Sequence, residues 1–304
     1  MRLVSLFSGC GGLDTGFENA GFFISFANDC ESSVATTYGL NHRCVLNTAK
    51  IQDIPSYEIP DSDGIIGGPP CQSWSTAGEM RGIKDERGQL FNQYIRVLKD
   101  KSPRFFVAEN VAGILSKHHG DAFNDIINQF EKLGYTVAYK LLNAADYGVP
   151  QDRKRVIIVG MKDKQLFSFP HNIPVSFVLK DALKDLPVNI DDPLRWKGSY
   201  SPIYMARNRR RTWNQPSFTI MASGRQTPLH PDSSPMHKVD TDVWEFDNPS
   251  KAFRLSTHEC ARIQTFRDSF KFKSTTLDNV YKMIGNAVPV RFAEAIAIAL
   301  RDQL

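Results

Sequence analysis

The sequence predicts an α/β fold, a mostly parallel sheet with helices on both sides, joined to a smaller irregular or β domain. Three observations carry this. Short apolar runs alternate with stretches of helical periodicity through the first half of the chain. A glycine-rich turn, Ser8-Gly9-Cys10-Gly11-Gly12, follows the first apolar run. From about Phe169 prolines multiply and helical periodicity ends.

The elements follow in order. Leu3 to Phe7 reads as a short strand, and the glycine turn after it leads into helix-compatible sequence. Such a turn lets a ligand approach backbone N–H groups at a helix N-terminus, although it is not the dinucleotide G-x-G-x-x-G. A second strand, Phe22 to Ala27, ends in Asn28-Asp29. An acid about 20 residues past a glycine turn suits ribose hydroxyls, against the blander reading of Asp29 as a solvated loop carboxylate. The pair indicates a nucleoside-bearing cofactor. Gly64 to Gly68 is a buried strand running into Pro69-Pro70-Cys71-Gln72. Gly78 to Gly88, with Arg81, Lys84 and Arg87 among its glycines, reads as a lid over an anionic substrate; a plain surface loop is the alternative. Leu90 to Leu98 is helical, Arg104 to Ala108 a strand ending at Glu109, and Asp121 to Leu133 an amphipathic helix. Val137 to Leu142 and Arg155 to Met161 are two more strands. The apolar stretch from Asn279 returns to the first domain, which gives 1–175 plus 275–304 as one domain and 176–274 as the second.

With 304 residues, 41% hydrophobic and 23% charged, the chain has material for two domains and a full core. No apolar run suggests a membrane span or an export signal, so a cytoplasmic protein is expected. Five cysteines without metal-ligand spacing argue for a reducing compartment and against a zinc site or a disulfide scaffold. A net charge of +4 admits a polyanionic partner without requiring one.

Chemistry converges on strand ends. A single cysteine is more often a packed small hydrophobe than a nucleophile. Cys71, behind two prolines and followed by small polar residues, reads as a presented thiol. A thiolate suits addition to an electron-poor ring carbon because it attacks strongly and also leaves. Glu109 is placed to relieve the charge such an addition puts on a ring nitrogen. Arg153 and Arg155, alternating at the start of a strand, are expected to point to one face and hold the base carbonyl and backbone; a surface charge pair is the alternative. In the irregular region, Arg207, Arg209, Arg210 and Arg211 lie beside aromatics and amides, a pattern that neutralises phosphates and reads guanine edges.

These motifs together resemble the bacterial DNA (cytosine-5) methyltransferases, nearly end to end. Phe7-Ser8-Gly9-Cys10-Gly11-Gly12 is similar to the family's S-adenosylmethionine loop, with Phe7 on the adenine. Asn28-Asp29 matches its ribose acid, Pro70-Cys71-Gln72 its nucleophile and Glu109-Asn110-Val111 its glutamate motif. Gln151-Asp152-Arg153-Lys154-Arg155 matches Gln-x-Arg-x-Arg, Arg254 to Arg262 the motif that organises target recognition, and Gly285-Asn286-Ala287-Val288-Pro289 the closing motif. The resemblance implies a Rossmann-like S-adenosylmethionine-dependent sheet with a smaller target-recognition domain. It also implies Cys71, Glu109, Arg153 and Arg155 as catalytic residues. Phe7, Gly9, Gly11, Gly12, Asp29, Ile51, Asn286 and Val288 would bind S-adenosyl-L-methionine. Ser73, Arg81, Arg207, Arg209, Arg210 and Arg225 would contact double-stranded DNA.

A cytosine flipped from the duplex would be methylated through a Cys71 adduct. The stretches Gly198 to Arg209, Ala222 to Gln226 and Leu229-His230-Pro231 resemble GGCC-specific modification methylases. The expectation is a monomer protecting DNA from a separately acting restriction endonuclease. Three departures stand out: Lys50 before Ile51 where the family has an acid, His258 for arginine, and Met221 for glutamine. Three other readings remain: an RNA cytosine-5 methyltransferase, a catalytically silent DNA-binding relative and, more distantly, a nicotinamide oxidoreductase.

Overall fold

A computed structural model describes residues 1–70 and 89–304. It packs as two compact units. The first comprises Met1–Asn143, Lys154–His171 and Ala293–Leu304; the second comprises Ala144–Arg153 and Asn172–Phe292.

In the first unit, seven strands among the described residues form one sheet, in the spatial order β3-β2-β1-β4-β5-β7-β6. They are β1 (Arg2–Leu6), β2 (Phe23–Asn28), β3 (Leu46–Asn47), β4 (Gly64–Gly67), β5 (Phe105–Val111), β6 (Thr136–Asn143) and β7 (Lys154–Met161). The first five neighbours pair in parallel, and β7 alone runs antiparallel to β5 and β6 on either side of it. This is the mostly parallel sheet that the alternation of strands and helices predicts. Strand β4 is buried along its whole length between β1 and β5, which explains why Gly-Ile-Ile-Gly lacks polar alternation.

Helices α1 (Gly12–Asn19), α2 (Ser32–Asn41), α3 (Gln89–Lys101) and α4 (Gly120–Lys132) connect these strands. Helix α4 buries Phe123, Ile126 and Phe130, the helical spacing read in the sequence. Phe130 meets Phe106 of β5 at a centroid distance of 4.3 Å. Tyr94 of α3 enters the same cluster, and its hydroxyl donates at 3.1 Å to the carbonyls of Ile65 and Val107, tying adjacent strands. On β1, Leu3 pairs with Ile24 and Leu6 with Asn28, so the ends of β1 and β2 lie level. Leu6 also pairs with Gly67, and Gly67 with Ala108, which brings the ends of β4 and β5 to the same edge.

The second unit holds α5 (Leu179–Leu183), α6 (Thr257–Ile263), α7 (Leu277–Asn286) and one hairpin, β8 (Met236–Asp240) with β9 (Val243–Phe246). Its local core is small: Tyr204, Leu229 and Met236, with Tyr200, Met205, Trp244 and Phe246 against it. Much of the rest is irregular, as the prolines predict. Ala144–Arg153 and residues 275–292 pack within this unit. Gln151 explains why: its amide donates to Gln264 at 2.8 Å and its carbonyl oxygen accepts from the Ile220 N–H at 2.8 Å. The last helix, α8 (Val290–Arg301), continues the chain after Pro289. The stretch Leu277–Arg301 is apolar and long enough to cross a membrane by composition, but 67% of its most apolar window is buried inside the protein.

Candidate active site

The carboxyl edge of the sheet collects the turn from Phe7 to Gly12, Asp29, and Glu109 with Arg155. After β1 the backbone enters the left-handed region at Phe7 (φ 57°), Gly9 (φ 55°) and Gly11 (φ 90°). Phe7, which carries a side chain, is unusual there, and the turn is correspondingly well tied. The Gly9 N–H donates to Asp29 Oδ2 at 2.8 Å, and the Glu31 N–H donates to Asp29 Oδ1 at 2.9 Å. Asp29 therefore orders the glycine turn and is half-buried at the end of β2. Gly12 opens α1, and Gly11 lies so close to His42 that a Cβ there would fall 2.0 Å from Nε2. A turn with left-handed glycines beside an acid fits a cofactor carrying a ribose and a charged tail. Ile51 is buried at the start of a short 3-10 turn, while Lys50 before it is exposed.

Beneath the turn lies a buried polar network that the sequence reading missed. Asp14 accepts from Ser5 Oγ and from Tyr38 Oη, each at 2.6 Å. Ser8 Oγ donates to Ser5 Oγ at 2.8 Å. The His42 ring stacks on Tyr38 at 4.2 Å, and its Nδ1 lies 2.9 Å from Glu18 Oε2. Burial raises the Asp14 carboxyl above its ordinary value, opposed by His42 and by the hydrogen bonds from Ser5 and Tyr38. Cys10, on the turn itself, is buried and its thiol is pushed up to about 12, so it is no nucleophile. An aspartate in the first turn of an otherwise core-facing helix was the available signal.

Glu109 lies near the end of β5. Its Oε1 is 2.8 Å from Arg155 Nε, and both side chains are largely buried. The contact is an ion pair without an aligned N–H, since Glu109 Oε1 accepts no well-directed hydrogen bond. Register explains the pairing: Arg155 sits opposite Val111, and Glu109 is two residues back on the same face. The neighbouring Asn110 is buried and its Nδ2 donates to the Pro69 carbonyl at 3.1 Å. The glutamate strand is thus fastened to the chain two residues before Cys71. Cys71, Ser73 and Arg81 themselves lie outside the described residues.

Arg153 departs from expectation. Strand β7 begins at Lys154, so Arg153 and Arg155 do not alternate along one strand face. Arg153 is buried in the second unit, donating to the carbonyls of Gly285 at 2.8 Å, Ala287 at 3.0 Å and Ile220 at 3.2 Å. Gln264, also unforeseen, is fully buried and donates to the Ile284 carbonyl at 2.7 Å. The two hold the Gly285-to-Val288 turn, on which Asn286 is exposed and Val288 buried. Gly285 is required there, because a Cβ would fall 2.3 Å from the Met221 carbonyl.

The arginines of the second unit divide. Arg207 and Arg225 are exposed. Arg209 is buried, donates to the carbonyls of Tyr204 at 2.9 Å and Ile203 at 3.0 Å, and lies over the Tyr204 ring. Burial and the Arg207 cation both depress its pKa. Arg210 donates to the Pro231 carbonyl at 2.9 Å. Arg254 is sandwiched against Tyr200 and Tyr204 and donates to the carbonyls of Gly198 at 2.9 Å and Ser199 at 3.0 Å. Arg195 and Glu259 form a two-point ion pair at 3.1 Å and 3.1 Å, while Glu259 and Ser256 cap α6. His258 faces solvent within 3.4 Å of Asp268, so its replacement of arginine costs no core packing. No group of three His, Cys, Asp or Glu suited to a metal occurs among the described residues.

Comparison with known proteins identifies the family. Residues 1–302 match the model of the family described as C-5 cytosine-specific DNA methylase. The type II methyltransferase M.FnuDI of Fusobacterium nucleatum is 50% identical, covering 100% of this chain and 95% of its own length. M.NgoPII of Neisseria gonorrhoeae, also a type II methyltransferase, is 44% identical, covering 100% of this chain and 96% of its own length. The fold is shared with the Entamoeba histolytica methyltransferase EhMeth, with a TM-score of 0.76 at 17% identity over 100% of this chain and 99% of that one. The chain therefore belongs to the C-5 cytosine-specific DNA methylase family and is an S-adenosylmethionine-dependent DNA (cytosine-5) methyltransferase.

Proposed function

We propose that the protein methylates carbon 5 of a cytosine flipped out of duplex DNA, through a covalent adduct with Cys71 and within the sequence GGCC. The observation that carries the reading is the join between Glu109-Asn110 and Pro69: the Glu109–Arg155 pair and the chain leading into Cys71 belong to one fastened strand end. The Cys71 thiolate adds to carbon 6, and the electron pair moves into the ring. Glu109 holds a proton or hydrogen bond at ring nitrogen 3, and Arg155 holds the Glu109 carboxyl in place. When bound, S-adenosylmethionine supplies an electrophilic sulfonium methyl for carbon 5. Solvent water takes the carbon-5 proton, the freed electron pair re-forms the C5–C6 double bond, and the Cys71 sulfur leaves as thiolate, restoring the aromatic ring.

Phe7, Gly9, Gly11, Gly12, Asp29 and Ile51 hold the cofactor in this reading, with Asn286 and Val288 of the closing motif. The cofactor and catalytic part is 1–175 plus 275–304, and 176–274 reads the target. Arg153 serves as a positioning residue for the closing motif. Exposed Arg207 and Arg225 support guanine readout, since a guanidinium pairs with the two acceptors on the guanine edge. Arg210, Ser73 and Arg81 complete the proposed DNA contacts, while Arg209, buried against Tyr204, is engaged by the Tyr204 and Ile203 carbonyls. The protein acts as a cytoplasmic monomer that shields DNA from a separate restriction endonuclease.

Labelled methyl transfer from S-adenosylmethionine to unmethylated duplex DNA, with Cys71→Ser beside the parent and a GGCC-cleaving endonuclease challenge, tests this. Transfer by the parent alone with protected sites supports the reading; transfer without protection rejects GGCC. Transfer to RNA but not to DNA would overturn the substrate.

A further inference from the structure

We propose that His42 is a positioning residue for cofactor binding, its ring held by Glu18 and carrying the Gly9-to-Gly12 turn from below. The inference rests on assigning that turn to the cofactor. His42 follows the last residue of α2, and its N–H donates to the Tyr38 carbonyl at 3.0 Å, so the helix end fixes where the ring begins. The ring is packed between two surfaces. Tyr38 stacks on one side, 4.2 Å away and tilted by 22°. Gly11 covers Nε2 so closely that no other residue fits above it. The side chain of His42 is 1% exposed, that of Glu18 31%. The glycine turn therefore rests on the imidazole, and movement of the ring moves Gly11.

Charge is built into the seat. Helix α1 contributes Glu18 at 2.9 Å and Asp14, whose carboxylate reaches Tyr38; the turn contributes the Cys10 backbone. Tyr38 is the titratable neighbour on the ring's own helix, and the Cys44 thiol beyond it feels the same two carboxylates. Desolvation alone would favour the neutral ring. The Glu18 hydrogen bond, Asp14 and the Cys10 backbone outweigh it and raise the His42 pKa above 6.5. A group with a raised folded pKa holds its contact fully below the unfolded value and loses it as pH rises through the folded value. The seat under the cofactor turn therefore loosens on the alkaline side.

Steady-state kinetics and direct binding of S-adenosylmethionine, from about pH 6 to 9.5, compare the parent with His42→Gln, Glu18→Gln and Asp29→Ala. His42→Gln is expected to raise the cofactor KM by about tenfold at neutral pH, with kcat and DNA Kd unchanged. Glu18→Gln, an isosteric change at a partly exposed site, is expected to move the alkaline loss of cofactor affinity to lower pH. The amino group of the ligand titrates in the same range, so the difference between Glu18→Gln and parent is decisive. An unshifted profile in Glu18→Gln overturns the proposal, even where His42→Gln fails to fold. Equal losses of cofactor and DNA affinity in His42→Gln also overturn it, since they indicate general destabilisation. If Asp29→Ala leaves cofactor binding intact, the assignment of the turn fails, and this inference with it; Asp29-dependent binding that ignores His42 and Glu18 rejects this inference alone.

Discussion

The two units solve the same problem, the satisfaction of buried backbone, by opposite means. In the first, strands pair with one another and, apart from the network at Asp14, the interior is apolar, centred on residues such as Ile65, Phe106, Phe130 and Ile158. In the second, regular pairing is scarce, and guanidinium groups take its place. Arg153, Arg195, Arg209 and Arg254 are all buried, and each donates to backbone carbonyls. A loop whose carbonyls find no ladder must find another donor, and arginine offers five in a flat fork that also stacks on aromatic rings. The lesson concerns reading charge: an arginine-rich stretch in a proline-rich region is partly scaffold, and only the remainder is available to a ligand.

The comparison breaks most visibly at Phe106. Truncation to alanine in an apolar core is expected to cost about 3–5 kcal/mol, read as a lowered denaturant midpoint with sheet amides losing hydrogen-exchange protection. Next comes Glu259→Gln, which leaves the buried Arg195 cation without its counter-charge and weakens the cap of α6. A loss of about 3 kcal/mol is expected, with exchange protection lost in the second unit first. Arg254→Lys should cost about 2 kcal/mol, because an ammonium keeps the charge but not both carbonyl bonds and the stacking. If lysine is tolerated without loss, the fork geometry is irrelevant and the contrast between units is only one of charge.

The smallest effect is expected at Arg262, which bridges Asp185 at 2.6 Å and Asp268 at 2.5 Å, two carboxylates that face solvent. Hydrogen bonds from Arg262 lower both carboxyl pKa values below 3.8. Their contribution is present above that value and lost as pH falls through the lowered ones. Arg262→Gln should therefore lower Tm slightly at neutral pH, with the gap to the parent closing in acid. Exposed pairs of this kind are screened and weak.

Much of the sheet edge was legible from local pattern. The glycine turn, Asp29, the strand into Pro69-Pro70 and the strand ending in Glu109 all follow from short-range rules on apolar runs and turn residues. The network under the turn was not, because Asp14 stands on α1, 24 residues before Tyr38 of α2, with His42 at the end of that second helix, and the three make no motif. Arg209 was read as a DNA contact, yet its side chain is buried against Tyr204. Nothing in its neighbours distinguishes it from exposed Arg207.

The sequence by itself determined the alternation of strands and helices, the order of the motifs and which strands run into Pro69-Pro70 and through Glu109. Those are set by side-chain polarity at spacings of two to four residues. Only the tertiary structure decided what the long side chains do. Arg155 turns to Glu109, while Arg153, two residues earlier, closes on carbonyls 132 and 134 residues away. An arginine side chain reaches several ångströms and pairs equally with carboxylate, carbonyl or ring, so its partner depends on which of these folding brings near.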